Sequence, residues 1–436
     1  MKLISVRVQF RTRRRRPPLA SEGMVVGLDI GTTKVCAIIG ERNEFGTLEI
    51  TGIGTSPSTG LRKGVVVNIE TTLRSVAAAI EAAEMMSGRE VHACYTGIGG
   101  SHIEGINSRG VVAVTGKNRE TREIAQADID RVIEAARAVV IPMDRQVLHV
   151  IPQTYIVDDQ KGIRNPLDMI GVRLEAEVHI ITGSVTSAQN LVKCVNRAGF
   201  RVQDLILQSL AAGRAVLTPE EKELGVALID LGGGTTDILV YSEGAPYYTA
   251  TIPVGGSQVT SDLSILKNIS YESAEKIKIQ AGCCWETMLE GEEDVLVPGV
   301  GGRPPVSIPK MQILRIIQPR MEEIFHLAKE KIEKLSLSRP LGGGIVLTGG
   351  GSQLIGVAEL ATHIFNLPVR IGVPLSVGGM VEEYRNPTYA TAVGLVLEGA
   401  DREAFRPSDR GDSRSRERSQ SSFVSKLTEW LKKEFF

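Results

Sequence analysis

Cysteine is scarce. Five residues of 436 carry a thiol: Cys36, Cys94, Cys194, Cys283 and Cys284. They form no Cys-x-x-Cys pair and have no histidine cluster nearby, which argues against a disulfide framework or a zinc site and for a reducing cytosol. Excess charge is also lacking. The formal net charge is -1, so neither sign points to nucleic acid, and no nucleic-acid partner is expected. No run of about eighteen apolar residues occurs, so no segment is built to span a bilayer by itself. Residues 1–23 lack the apolar stretch of a secretory signal. They are basic instead, with Arg13 to Arg16 followed by Pro17-Pro18. An unstructured basic extension is expected there, or an over-extended start ahead of Met24. What remains is a globular composition, 42% hydrophobic and 23% charged, long enough for two or more domains.

Two matched stretches stand out. One is Val26-Gly27-Leu28-Asp29-Ile30-Gly31-Thr32-Thr33-Lys34; the other is Leu228-Ile229-Asp230-Leu231-Gly232-Gly233-Gly234-Thr235-Thr236-Asp237. Each is an apolar run, an Asp, one apolar residue, glycine and two threonines, followed by a second apolar run. That pattern is strand, tight turn, strand. Glycines let backbone approach a bulky anion, and N–H groups and threonine hydroxyls can cradle phosphate oxygens. Asp29 and Asp230 are placed to hold a hydrated Mg²⁺ or an attacking water. One such hairpin is an ordinary turn as readily as a site. Two copies facing each other form a clamp for a polyphosphate.

Around these hairpins the pattern is α/β. An alanine-rich helix spans 69–86, and a strand follows near Val91 to Ile98. Residues 105–182 form a β-α-β-β block that looks inserted, with a helix opened by Thr121 and a polar turn at 158–165. Helices are expected at 187–198 and 210–217, with a strand and then Gln208 between them. Glu275 and Lys278 lie one turn apart on a helix over 270–280 and share a face, as a surface ion pair also would. Residues 283–309 are a loop or hairpin, and 311–335 a long helix. A strand at 342–347 runs into Gly349-Gly350-Gly351 and a helix, the geometry that brings backbone against a flat or anionic ligand.

These elements, in this order, resemble the actin-like ATPase superfamily over residues 24–398. The run from Ile163 to Gly183 narrows the likeness, and the chain resembles the FtsA family of bacterial cell-division proteins. The resemblance implies an α/β, actin-like (ribonuclease-H-like) two-lobed fold with an inserted subdomain 1C in place of actin subdomain 1B. It divides the chain as follows: 24–104 and 183–223 as subdomain 1A, 105–182 as 1C, 224–266 and 336–386 as 2A, 267–335 as 2B, and 387–400 as the closing helix of 1A. Family roles carry over by position. Gly31, Thr32, Thr33 and Lys34 match the first phosphate loop. Gly232, Gly233, Gly234, Thr235 and Thr236 match the second, with Asp230 near Mg²⁺. Gln208 matches the residue that positions the attacking water, Glu275 and Lys278 the helix that touches ribose, and Gly349, Gly350 and Gly351 the adenine loop. ATP and Mg²⁺ are the implied cofactors. Gln208 is an amide and cannot take a proton as a base, so a weak ATPase is expected, using nucleotide as a conformational and assembly ligand. The Gly213-Arg214 pair and the basic extension depart from the family pattern.

Residues 401–422 are mostly Arg, Ser, Asp and Glu, a disordered linker by composition. The last residues, 423–436, place Phe423, Val424, Leu427, Trp430, Leu431 and Phe435 on one arc of about 140° at helical spacing, with Lys432 and Lys433 off it. That is an interfacial helix, aromatics toward acyl chains and lysines toward anionic headgroups. A helix packing onto its own domain is the alternative. The resemblance implies FtsZ, later division proteins, anionic lipid and further copies of the chain as partners. It places the protein on the cytoplasmic face of the inner membrane, at the septum. Two other readings share the clamp: a small-molecule kinase of the same fold, and an actin-like adaptor of a pilus or secretion system.

Overall fold

The computed structural model describes residues 4–5, 23–114, 121–289, 294–297, 304–337, 339–375, 377–379 and 381–404. Met1–Gly399 form one compact unit. Ala400 opens a second, of which residues 400–404 are described. The amphipathic helix expected at 423–436, with Phe423, Val424, Leu427, Trp430, Leu431, Lys432, Lys433 and Phe435, lies outside the described residues.

The first lobe opens with an antiparallel meander of β1 (Met24–Ile30), β2 (Lys34–Arg42) and β3 (Leu48–Pro57). Helix α1 (Ile69–Ser87) follows. Asn68 starts it by accepting from the N–H groups of Glu70 and Thr71, and Gly88 at φ 68° ends it, a left-handed conformation that glycine adopts without strain. Strand β4 (Ala93–Ile98) then pairs parallel with β1.

The chain next leaves the lobe for an insertion made of β5 (Glu104–Ala113), α2 (Gln126–Arg137), β6 (Arg145–Val157) and β7 (Arg173–Ser184). Strand β7 is central, antiparallel to both β5 and β6. Ile129, Val132 and Ile133 of α2 pack with Val178 and Ile180 of β7 in a core separate from the lobes. Three expectations are corrected here. Thr121 does not open α2. Asp128 does, because its carboxylate accepts from the Ala125 N–H and pairs with Arg122 and Arg131. A carboxylate in the first turn satisfies a free N–H and meets the positive end of the helix. The Arg122 guanidinium, chiefly, holds that carboxyl well below the usual range. The turn at 158–165 contains a short strand, Gln160–Ile163, that doubles back on β6. Finally, Ile4–Ser5 of the basic extension pair with β6 at Val150 and His149, so part of that segment is strand.

Helix α3 (Val185–Arg197), β8 (Arg201–Leu207), α4 (Gln208–Val216) and α5 (Pro219–Leu224) return the chain to the lobe. The first sheet runs in the order β8-β4-β1-β2-β3, with Gly378–Gly379 on its outer edge. The second lobe repeats this plan. Strands β9 (Val226–Leu231), β10 (Thr236–Ser242) and β11 (Ala245–Ile252) form the meander. Helices α6 (Gly256–Lys267) and α7 (Tyr271–Ala281), a hairpin of Asp294–Val297 with Val306–Pro309, and α8 (Lys310–Glu333) follow. Ile313, Ile317 and Phe325 of α8 share one core with Ile229 and Leu347. Strand β12 (Ile345–Thr348), helix α9 (Val357–Phe365) and strand β13 (Val369–Ile371) complete the lobe, β12 lying parallel to both β9 and β13.

Helix α10 (Ala390–Ala404) closes back on the first lobe. A Cβ on Gly394 would stand 1.8 Å from the Ala211 carbonyl, and one on Gly27 would stand 2.6 Å from that of Ala392. Only a bare backbone permits such approach. The helix runs to Ala404, so the first residues expected in the linker are helical.

Candidate functional site

The two meander turns are built alike. In each, the first glycine N–H donates to the carbonyl three residues on, Gly31 to Lys34 at 2.9 Å and Gly232 to Thr235 at 3.0 Å. The tips meet. A Cβ on Gly233 would stand 2.5 Å from the Thr33 side chain, and one on Gly234 2.6 Å from Thr32 Oγ1. The hairpins therefore close on each other across bare glycine backbone, as a two-sided clamp requires.

A cavity of about 340 Å³ opens beside the tips. It gathers Thr33, Gly232 and Gly233 from the turns, Glu275 and Lys278 from α7, and Gly350 and Gly351 from the loop after β12. Its other wall is apolar, with Ile279, Met321, Ile324 and Leu354, a slot suited to a flat ring beside a polar mouth. Glu275 and Lys278 are not a surface pair. Lys278 Nζ donates to Glu275 Oε2 at 2.7 Å, to Thr260 Oγ1 at 2.9 Å and to the Gly256 carbonyl at 3.2 Å, which ties α7 to the start of α6.

Asp29 and Asp230 occupy equivalent positions, paired in register with Cys36 and Asp237. Gln208, the first residue of α4, donates its amide to Asp29 Oδ1 at 2.7 Å. Burial raises the Asp29 carboxyl, against the opposing pull of Lys34 and Gln208. Asp230 is pushed up to about 7 by burial and then by the charges of Asp237 and Asp29. Asp237 is pushed up to about 6, chiefly by burial. All three are half-buried by exposed area. Such a trio is short of positive charge and suits a hard cation. Among the described residues no three His, Cys, Asp or Glu side chains converge on one metal position. A Mg²⁺ that keeps its waters and binds through one or two carboxylates plus phosphate oxygens fits that arrangement.

Several expected residues are tied to protein partners. The Thr236 hydroxyl is fully buried and donates to the Val254 carbonyl at 2.9 Å, so it does not cradle phosphate. Strand alternation turns it inward and sends its neighbour Asp237 to the opposite face of the strand. Thr235 Oγ1 is engaged with Asp237 Oδ2 at 3.3 Å. Lys34 Nζ donates to the Thr388 carbonyl at 2.8 Å and stands 4.4 Å over the Tyr389 ring. Gly349, at φ 80°, lies against Asp230, where a Cβ would stand 2.2 Å from Oδ1.

Sequence reasoning missed Asp237 and the Gly255-Gly256-Ser257 start of α6. The N–H groups of Gly256 and Ser257 donate to the carbonyls of Gly232 and Gly233 at 2.9 and 2.8 Å, locking the second turn to a helix N-terminus. A Gly-Gly-Ser run opening a helix was the available signal. Thr388 and Thr391 were missed because only folding brings residues so distant in sequence to the hairpins.

A larger cavity, about 1110 Å³, lies between the insertion and α4–α5, lined by Ile129, Tyr155, Arg214 and Lys222 among others. It holds none of the clamp residues, so the chemistry belongs to the smaller one. It does account for the Gly213-Arg214 pair. Gly213 lets α4 pack on Leu239, 2.9 Å from a Cβ placed there, and Arg214 faces the cavity.

The profile of "Cell division protein FtsA" matches residues 227–394, and that of "SHS2 domain inserted in FTSA" matches 100–182. The cell division protein FtsA of Borreliella burgdorferi is 48% identical over 95% of this chain and 100% of its own length. That of Pseudomonas aeruginosa is 45% identical over 94% and 98%. The chain belongs to the FtsA family. The FtsA of Escherichia coli K12 is 40% identical over 94% of this chain and 98% of its own. Among solved structures, the PilM-PilN type IV pilus biogenesis complex matches with a TM-score of 0.61 at 17% identity, over 86% of this chain and 98% of that one. MreB5 of Spiroplasma citri bound to ADP matches at 0.50 and 15%, over 87% and 95%. The fold is thus actin-like, with the FtsA insertion at 100–182 carrying the separate core described above. No helix among the described residues is long and apolar enough to cross a membrane.

Proposed function

We propose that this FtsA-family protein binds ATP with Mg²⁺ in the hairpin clamp and anchors FtsZ filaments to the cytoplasmic face of the inner membrane at the septum. It recruits later division proteins there and assembles with its own copies. The observation that carries the nucleotide reading is the contact of two glycine turns beside a cavity with one polar and one apolar wall. Thr33, Gly232 and Gly233 face the polyphosphate, Glu275 and Lys278 the ribose, and Gly350 and Gly351 the base. Asp29 and Asp230 would hold the hydrated Mg²⁺, which would supply charge neutralisation at the phosphates. Gln208, fixed on Asp29, orients a water without deprotonating it, which keeps turnover slow and leaves nucleotide as a conformational and assembly ligand. Membrane attachment is assigned to residues 423–436. Burying six apolar side chains at about 1.5–3 kcal/mol each is ample before ordering costs.

The test is co-sedimentation with anionic vesicles and ATP, with and without FtsZ, comparing the full chain with one ending at Ala400. The full chain alone is expected to pellet and to carry FtsZ down. If both chains stay in solution, the anchor assignment fails.

A further inference from the structure

The segment Asn386–Thr391, which leads into α10, touches every part of the clamp. The Asn386 amide donates to Gln353 Oε1 at 3.2 Å. The Pro387 carbonyl accepts from the Gly349 N–H at 3.3 Å and from the Thr348 hydroxyl at 3.4 Å. The Thr388 carbonyl accepts from Lys34 Nζ at 2.8 Å, and the Tyr389 ring lies 4.4 Å beneath the same amine. Thr391 Oγ1 donates to Asp230 Oδ2 at 3.3 Å. One short stretch therefore joins the first hairpin, the second hairpin and the glycine loop.

The chemistry of two of these contacts is specific. An ammonium has three N–H donors. Thr388 takes one, and the ring face attracts the charge without consuming a lone-pair acceptor. The amine is thus pinned at the first turn with donors left for an anion. On the other hairpin, the Thr391 hydroxyl fixes one oxygen of a carboxylate that is crowded by other negative charges. We infer that Tyr389 and Thr391 are positioning residues of the clamp, Tyr389 holding Lys34 for the polyphosphate and Thr391 holding Asp230 for the cation. The inference rests on the nucleotide reading above and deepens it.

The experiment is calorimetric titration of the full chain with ATP and with AMP, each with Mg²⁺ and with chelator. Wild-type binding of MgATP decides the nucleotide reading itself; no binding overturns both that reading and this inference. Given binding, Tyr389→Leu is expected to weaken ATP about three- to tenfold and leave AMP unchanged, and Tyr389→Phe to retain wild-type affinity, since the ring alone carries the attraction. Thr391→Val is expected to weaken ATP about threefold with Mg²⁺ and not at all with chelator, and Thr391→Ser to restore it. A segment that merely packs would move ATP and AMP together and would ignore the metal. Either result, or unchanged affinity in both variants, overturns the positioning roles while leaving the nucleotide reading intact.

Discussion

The two hairpins share a motif and a turn but not an electrostatic setting. In the first, Asp29 has a cation within reach and an amide on its oxygen, from Lys34 and Gln208. In the second, Asp230 stands opposite Asp237 in register and is driven up to about 7. Lys34 pulls both carboxyls down and burial holds both above their ordinary range; the second half adds the repulsion of Asp237 and Asp29. Glycines and threonines announce phosphate in both. The residue after the two threonines, Lys34 in one motif and Asp237 in the other, leaves the second half with the greater need of an external cation.

The sharpest way to break this contrast is to remove each carboxylate charge. Asp230→Asn is expected to cost about a hundredfold or more in MgATP affinity, yet to raise the melting temperature of the ligand-free protein by removing a buried charge and its repulsion. Asp29→Asn removes a burial penalty that Lys34 and Gln208 already oppose, so it is expected to raise that melting temperature less. A larger rise for Asp230→Asn in thermal melts supports the contrast, and an equal or larger rise for Asp29→Asn breaks it. Gly233→Val sharpens it geometrically. A side chain pointing into Thr33 forces the tips apart, with a stability cost of about 1–3 kcal/mol by denaturant titration and loss of ATP binding. Gln208→Ala is expected to slow hydrolysis about tenfold with affinity unchanged; turnover equal to wild type removes Gln208 from the mechanism.

The pH dependence follows from the same comparison. Asp230 and Asp237 have folded pKa values of about 7 and about 6, above the unfolded carboxyl near 3.8. The folded state therefore holds their protons more tightly. Their stabilising contribution is present at acid pH, declines from about pH 4 and is gone above about pH 7. Metal-free melting temperature is expected to fall by a few degrees from about pH 5 to about pH 8 through these groups, and Asp230→Asn to flatten that slope.

Much of this was legible in sequence. The hairpins follow from strand–glycine–strand patterning, and α1 follows from its alanine richness and Ser87-Gly88 stop. The insertion is visible because its β-α-β-β order interrupts the lobe. The misreadings have local causes. Thr121 is a plausible opener, but Asp128 satisfies the helix start better through Arg122 and Arg131. Thr236 shares the motif with Thr33, but strand alternation turns it into the core. The long-range contacts that fix the clamp's charged groups were out of reach. Lys34 and Thr388, or Asp230 and Thr391, become neighbours only when α10 closes onto the first lobe, and no local pattern encodes that.

The most direct measurement is calorimetric titration of the full chain with MgATP, beside Gly233→Val. The account predicts one nucleotide per wild-type chain and no detectable binding by the folded variant. A wild-type chain that binds no ATP, or a Gly233→Val variant that binds it equally well, would contradict the clamp.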